Sequence, residues 1–280
     1  MSLNGILVVN KEPGYTSHDV VAKVKKILGE KVGHTGTLDP NATGVLPLLI
    51  GKGTGLAKYL VNHDKTYIAT LKLGEKTDTG DLEGNIIEKQ DVKDISRGKL
   101  EEVLHSFLGK QEQIPPKYSA IKVNGKKLYE YARKGETIEL KARPIEIYDI
   151  KLIDINNLEI IFEVACSKGT YIRSLCENIA EKLGTVGYMK ALKRTVVGEF
   201  NIENSVKINE IDEKQIISIE KFLKDKENII LEQNKLELFL NGGRIKVKLA
   251  DEVYRVYNVN GEFIGSGVVE NWLLKRDIIL

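Results

Sequence analysis

The stretch "KTYIATLKL", residues 65–73, constrains the fold more than any other part of the chain. Tyr67, Ala69, Leu71 and Leu73 alternate with Ile68, Thr70 and Lys72, so the segment reads as a β-strand that buries one face. Such a strand needs neighbours. Candidates are "GILVVN" (5–10), "VLPLLIG" (45–51), "TIEL" (137–140), "PIEIYDIKLIDI" (144–155), "LEIIFEVACS" (158–167) and "VGYMKALKRTVVGEFNI" (186–202). Pro47 places the second of these near a sheet edge or at its own start. Helical patterns come singly between the strands. Ser17 reads as the N-cap of a helix through Leu28, and "GLAKYLVNH", "KLEEVLHSFLG" and "TYIRSLCENIAEKLG" follow. Strands that outnumber isolated helices predict an α+β body with a mixed, largely antiparallel sheet. At 280 residues the chain has room for about two domains. The strand-rich tail, with an Asn260-Gly261 hairpin turn, predicts a small β domain over 231–280 after a larger one over 1–230.

Composition excludes several classes. With 42% hydrophobic and 29% charged residues the chain is an ordinary globular protein, not a disordered one. No window approaches the ~20 apolar residues of a membrane span, and the start "MSLNGILVVNK" lacks the features of a secretion signal. A cytoplasmic protein with no membrane partner is expected. Cys166 and Cys176 predict no disulfide framework, and the four histidines show no metal-ligand spacing. "GKGTG" (51–55) fails as a phosphate loop because Gly53 follows Lys52. "DTG" (78–80) occurs once, and an aspartic protease needs two such carboxylates. Asp78, Asp81 and Glu83 therefore read as a solvated turn.

Net charge is only +2, but residues 117–143 hold eight basic residues against three acids. An excess of five on so short a segment is the electrostatic footprint of a phosphate-binding patch, and a solvated surface is its plain alternative. It opens at "IPP", carries an Asn124-Gly125 turn and continues into a basic helix, so it reads as an insertion over about 115–143.

One carboxylate stands apart. "GHTGTLDPNATGVLPL" (33–48) surrounds Asp39 with Gly33, Gly36, Gly44 and Pro40. An Asp-Pro corner is a common turn. Here Gly33 and Gly36 also allow close approach of backbone, His34 and Thr37 add polar groups, and a stiff apolar run follows at once. A carboxylate on a rigid mount suits a covalent mechanism at carbon.

"GHTGTLDPNATGVLP" resembles the active-site motif of the bacterial tRNA pseudouridine synthase B family. Five further stretches resemble that family in order. They are "GILVVNKEPGYTSHDVV" and "DKTYIATLKLGEKTDTGDLEG", then the RNA-gripping insertion "QIPPKYSAIKVNGKKLYEYARKG", then "CSKGTYIRSL" with "MKALKRTVVGEF". Together they span about residues 5–200, and the tail is similar to the family's PUA-type domain. In one departure, Glu12 separates Lys11 from Pro13, residues that are adjacent in many members.

The resemblance implies an isomerase that converts uridine 55 in the T loop of tRNA to pseudouridine by base flipping, with no cofactor, no metal and no guide RNA. It implies that Asp39 is the essential anionic residue, that Arg173 pairs with it, and that Tyr67 stacks on uracil or assists proton movement. Tyr171 and Leu192 line the pocket, His34 helps hold the T loop, and Lys11 lies nearby. Lys126, Lys127, Arg133 and Lys134 supply phosphate contacts from the insertion. A monomer is expected, since no helix shows a sustained heptad. Two rivals remain: a tRNA-folding chaperone or RNA-binding module with secondary catalysis, and a carboxylate hydrolase, for which a second catalytic carboxylate is missing.

Overall fold

The computed structural model describes residues 2–119, 121–123, 125–136 and 138–280. The chain forms two compact units, one of residues 1–40, 45–62 and 203–280, the other of residues 41–44 and 63–202.

In the second unit, the strand Lys65–Leu73 does what its alternation predicts. Tyr67, Ala69, Leu71 and Leu73 are buried and the residues between them are half-buried. It runs antiparallel between Glu159–Cys166 and Gly187–Val197. Phe162 pairs with Ala69 and Val164 with Tyr67, so both strands present one apolar face. Arg143–Asn156 and then Gly109–Gln113 continue the antiparallel order. A parallel pairing joins Thr43 and Gly44 to Lys193 and Arg194, which makes the sheet mixed but largely antiparallel, as expected. Helices Arg97–His105 and Ile172–Lys182 cover the apolar face with Leu100, Val103, Leu104, Leu175 and Ile179. Phe162 is fully buried at its centre, and truncation to Ala would cost about 3–5 kcal/mol.

The first unit opens with Gly5–Lys11, in which Ile6, Leu7, Val8 and Val9 are all buried. A run without alternation fits a strand covered on both faces. Residues 45–50 of the strand Thr43–Ile50 lie beside it, and Val32–His34 pairs with residues 48–50. Pro47 is therefore not at a sheet edge. It sits one residue ahead of that ladder and offers only its carbonyl, which accepts from Thr35 N–H at 3.2 Å. Its missing donor is not needed there.

The helix Ser17–Leu28 is capped by Thr16, one residue before the expected Ser17. Thr16 Oγ1 accepts from Asp19 N–H at 3.1 Å, and the Asp19 carboxylate accepts from Thr16 N–H at 2.8 Å. This reciprocal cap wins because Asp19 stands three residues after Thr16. It leaves the Ser17 hydroxyl for another task.

A separate five-stranded sheet closes the chain, in the order Asn228–Leu231, Val253–Asn258, Phe263–Glu270, Leu273–Ile279 and Ile245–Lys246. Its core joins Leu231, Tyr254, Val256, Val269 and Leu274 to Leu236 and Phe239 of the helix Gln233–Leu240. The buried Asp277 carboxylate accepts from Tyr59 and Ser266 hydroxyls and pairs with Lys58, which ties this sheet to the helical segment 51–60. The Asn258–Glu262 turn has Gly261 at φ 80°, as the Asn-Gly pattern predicts.

In the insertion, Lys122–Val123 pairs with Lys126–Lys127 and leads into the helix Leu128–Ala132. Asn124 of the expected turn lies outside the described residues. So does Thr137 of "TIEL", and residues 138–140 form no strand. Four alternating residues are too short a pattern to hold a strand without a partner. Among the described residues, no helix is long and apolar enough to cross a membrane.

Candidate active site

Asp39 is half-buried and follows the short strand Val32–His34. Residues on both sides of it are clamped. Leu38 before it is buried, and its backbone N–H donates to Ser17 Oγ at 2.9 Å while Ser17 Oγ donates back to its carbonyl at 3.2 Å. After it, the Pro40 carbonyl accepts from Gly14 N–H at 3.0 Å and from Lys11 Nζ at 2.7 Å. Lys11 is fully buried, so its ammonium is committed to this backbone and to the Glu12 carbonyl at 3.1 Å. Gly36 has φ 78°, the left-handed conformation that glycine accepts without strain. Four contacts from the entry to the first helix thus fix the backbone on either side of one carboxylate.

Gly33 lies in the ladder opposite Leu49, where a Cβ would meet only Thr54 Cγ2 at an ordinary 3.7 Å. A Cβ on Gly44, at φ 102°, would come within 2.1 Å of the Arg194 carbonyl oxygen. Close strand pairing, rather than room for a ligand, requires that one. His34 is half-buried opposite Leu48 in the same ladder.

The second unit assembles a different set. Arg173 is the second residue of the helix Ile172–Lys182 and is 7% exposed. Its guanidinium pairs with the Asp81 carboxylate at 3.3 Å and donates to the carbonyls of Tyr118 at 2.9 Å and Thr79 at 3.3 Å. Three acceptors around one buried guanidinium hold its plane in place. The reading of Asp81 as a solvated carboxylate is overturned, because its side chain is only 13% exposed. Its other oxygen accepts from Thr79 Oγ1 at 2.6 Å and Glu83 N–H at 3.1 Å. Asp78 and Glu83 do stay in the loop, accepting from Asn85 N–H and from the Asn41 amide. The loop is drawn in by Met189 N–H, which donates to Gly80 at 3.0 Å.

Tyr171 is the residue before this helix, and its backbone is gripped by the buried Gln113 amide. Tyr171 N–H donates to Gln113 Oε1 at 2.8 Å and Gln113 Nε2 donates to the Tyr171 carbonyl at 3.0 Å. Tyr67 lies on the central strand in register with Arg194. Arg194 is 1% exposed, and burial pushes its guanidinium down while a hydrogen bond with Tyr67 pushes it up. An arginine so placed keeps its charge. Leu192, in register with Ala69, is half-buried one strand position-pair away. Tyr67 and Leu192 therefore share paired strands, and Tyr171 and Arg173 share a helix start.

The insertion interleaves cations and rings. Lys127 and Arg133 lie 5.4 Å and 5.3 Å from the Tyr129 ring, and Lys126 lies 5.8 Å from that of Tyr131. Lys134 is exposed in the turn after the helix Leu128–Ala132. Ser17, Asp81, Gln113 and Arg194 are the contributors that the sequence did not single out. Arg194 carried a usable signal, since it is two residues from Leu192 on one strand and so shares its face. Asp81 and Gln113 carried none, because their partners are 92 and 58 residues away.

A model of the TruB family pseudouridylate synthase (N terminal domain) matches residues 24–172, and one of the tRNA pseudouridylate synthase B C-terminal domain matches residues 173–236. The tRNA pseudouridine synthase B of Clostridium kluyveri is 45% identical, covering 98% of this chain and 98% of its own. That of Caldanaerobacter subterraneus is 45% identical, covering 96% of each. Among solved structures, a Cbf5-Nop10-Gar1 complex matches with a TM-score of 0.68 at 26% identity, over 95% of this chain and 78% of that one.

Proposed function

The chain belongs to the TruB family of pseudouridylate synthases, and on that premise we propose that it isomerises uridine to pseudouridine at position 55 in the T loop of tRNA. The observation that carries the reading is the Asp39 mount: one carboxylate held between two clamped residues, in the stretch that resembles the family's active-site motif. Identity of 45% to tRNA pseudouridine synthases over nearly the whole length disfavours a chaperone without catalysis.

The reaction breaks the C1′–N1 bond of uridine, turns the base and forms a C1′–C5 bond. The C5 proton is lost and N1 gains one, so no oxidant or cofactor enters. Asp39 is the anionic group that forms and releases a bond during the transfer. A mount that does not move keeps the reacting oxygen in line and lowers the entropy lost in the step. Arg173 supplies positive charge that favours an ionised carboxylate. Tyr67 offers a ring to the flipped uracil and a hydroxyl for proton movement, with the buried Arg194 hydrogen-bonded to it. Tyr171 and Leu192 complete the apolar wall. Flipping costs a few kcal/mol, which stacking of about 1–3 kcal/mol and phosphate contacts offset.

His34 and Lys11 hold the loop that meets the RNA. Lys126, Lys127, Arg133 and Lys134 grip phosphates, as their interleaving with Tyr129 and Tyr131 suits. Residues 1–230 act as the catalytic domain and 231–280 as a PUA-like RNA-binding domain. The protein works as a cytoplasmic monomer without guide RNA, because the insertion over 115–143 does the gripping itself.

A T-arm RNA with tritium at uridine C5 tests this. The protein should release label into water, and its failure to do so while binding tightly would leave only a binding module. Exchanging the four insertion cations for Gln should weaken binding and lower the slope of log affinity against log salt by about 3–4. Unchanged affinity would remove the insertion from the interface.

A further inference from the structure

The helix Ile172–Lys182 begins at the Arg173 cluster, and its other end walls a cavity of about 440 Å³ that the chemistry at uridine does not use. Glu177 and Glu181 stand four residues apart, so they share one helix face. Both line the cavity. Among the described residues no hydrogen bond or ion pair engages either carboxylate. Burial pushes the Glu177 carboxyl up, Lys76 and Arg173 pull it back only in part, and Glu181 adds to the push. The helix also ends here. Gly184 N–H donates to the Glu181 carbonyl at 2.9 Å and Thr185 N–H to that of Ala180 at 3.1 Å. A helix C-terminus carries partial negative charge. Lys182, the cation of the last turn, is committed elsewhere, donating to Ser106 Oγ at 2.8 Å and lying 4.2 Å from the Phe107 ring.

One polar atom of this wall has no partner. Thr185 lines the cavity and is 6% exposed, and its Oγ1 meets no hydrogen-bond partner among the described residues. A buried hydroxyl ordinarily finds one. Two carboxylates and a hydroxyl oxygen all accept, so the group that fits them is a positively charged donor. Lys76, Glu177 and Asn178 also line a second cavity of about 500 Å³, so the two adjoin as one groove. In the second cavity Ile87, Ile114 and Leu140 supply apolar surface, and Asp78 and Glu112 face Lys117. Ile87 and Ile114 are 60% and 59% exposed. The whole groove holds four carboxylates against the ammonium groups of Lys76 and Lys117, together with bare apolar wall. A metal ion would use the acids and waste that wall.

We propose that this groove binds an aliphatic polyamine, with one ammonium held by Glu177, Glu181 and the Thr185 hydroxyl and the methylene chain laid on Ile87, Ile114 and Leu140 towards Glu112. A primary ammonium has three donors, which matches two carboxylates and one hydroxyl. The methylenes cover apolar side chains that water now meets. Pro115 and Leu140, which both line the second cavity, come from the two ends of the insertion, so an occupied groove joins those ends. The inference is independent of the reading at uridine.

The full chain is titrated with spermidine by calorimetry, without RNA and at constant ionic strength. One saturable site is expected, and the melting temperature should rise with spermidine concentration. Propylamine, with one ammonium and a short chain, should bind about tenfold or more weakly. Glu177→Gln keeps the side-chain shape and removes a charge that nothing neutralises, so the fold is kept. It should weaken spermidine by about tenfold to a hundredfold. Thr185→Val removes the hydroxyl alone and should weaken it by about twofold to tenfold. Glu112→Gln should weaken spermidine and leave propylamine unchanged. Heats no larger than those of magnesium chloride at the same ionic strength, or wild-type affinity in both Glu177→Gln and Thr185→Val, overturn the proposal. Tritium release from T-arm RNA without polyamine should be normal in Glu177→Gln and Thr185→Val, so failure of this groove is distinguishable from failure of the catalytic reading.

Discussion

Asp39 and Asp81 are both aspartates in loops that carry glycine and threonine, "GTLDP" and "TDTGD", yet they are held in opposite ways. Around Asp39 it is the backbone that is fixed, by Ser17, Gly14 and Lys11 on Leu38 and Pro40. Around Asp81 it is the carboxylate itself that is fixed, by Arg173, Thr79 and the Glu83 N–H. The first arrangement suits the reacting role proposed for Asp39. The second spends the side chain on holding an arginine. An aspartate can thus be placed through the backbone of its neighbours as well as through its own oxygens.

The sharpest test of this contrast is Asp39→Asn. It should fold, bind T-arm RNA as tightly as the wild type and release no tritium above background. Residual turnover would mean that the clamped loop carries no reacting group. Asp81→Ala should act first on stability. It leaves the Arg173 guanidinium buried without its carboxylate, at a cost of about 3 kcal/mol, seen as a lower urea midpoint. An unchanged midpoint would make Asp81 as dispensable as a solvated carboxylate. Ser17→Ala removes both hydrogen bonds to Leu38 and should cost about 1–2 kcal/mol, with a fall in turnover and little change in RNA affinity. Loss of stability with full turnover would show that the mount need not be rigid.

The smallest effect is expected at Glu177, one helical turn after Arg173. Burial pushes its carboxyl above the ordinary 4.5, and Lys76 and Arg173 only partly pull it back. A raised carboxyl contributes stability below its unfolded value and loses that contribution as pH rises through the folded value. Glu177→Gln should therefore raise the melting temperature at pH 7 by a few degrees and leave it unchanged at pH 4. A gain of equal size at both pH values would place the effect in packing rather than charge.

The legible parts were those whose cause lies within a few residues. The alternation at 65–73 foretold the buried face of Tyr67, Ala69, Leu71 and Leu73 because a strand has a period of two. The helix entry was misread by one position because Thr16 and Ser17 are both good caps, and only Asp19 at the right distance chooses between them. Pro47 suggested an edge, although a strand tolerates proline wherever a ladder does not ask for its donor.

By itself the sequence determined the strand-led α+β plan, the glycine and proline corner that carries Asp39, the basic insertion and, through five ordered stretches, the family. These are properties of local periodicity, turn chemistry and motif order, which need no knowledge of distant chain. Tertiary structure alone decided that Asp81 is paired and not solvated, that Arg194 lies buried against Tyr67, that Gly44 is small for the sake of a neighbouring strand, and that Trp272 faces water. Each of these depends on which residues far apart in sequence come within a few ångströms, and on how much water is left between them.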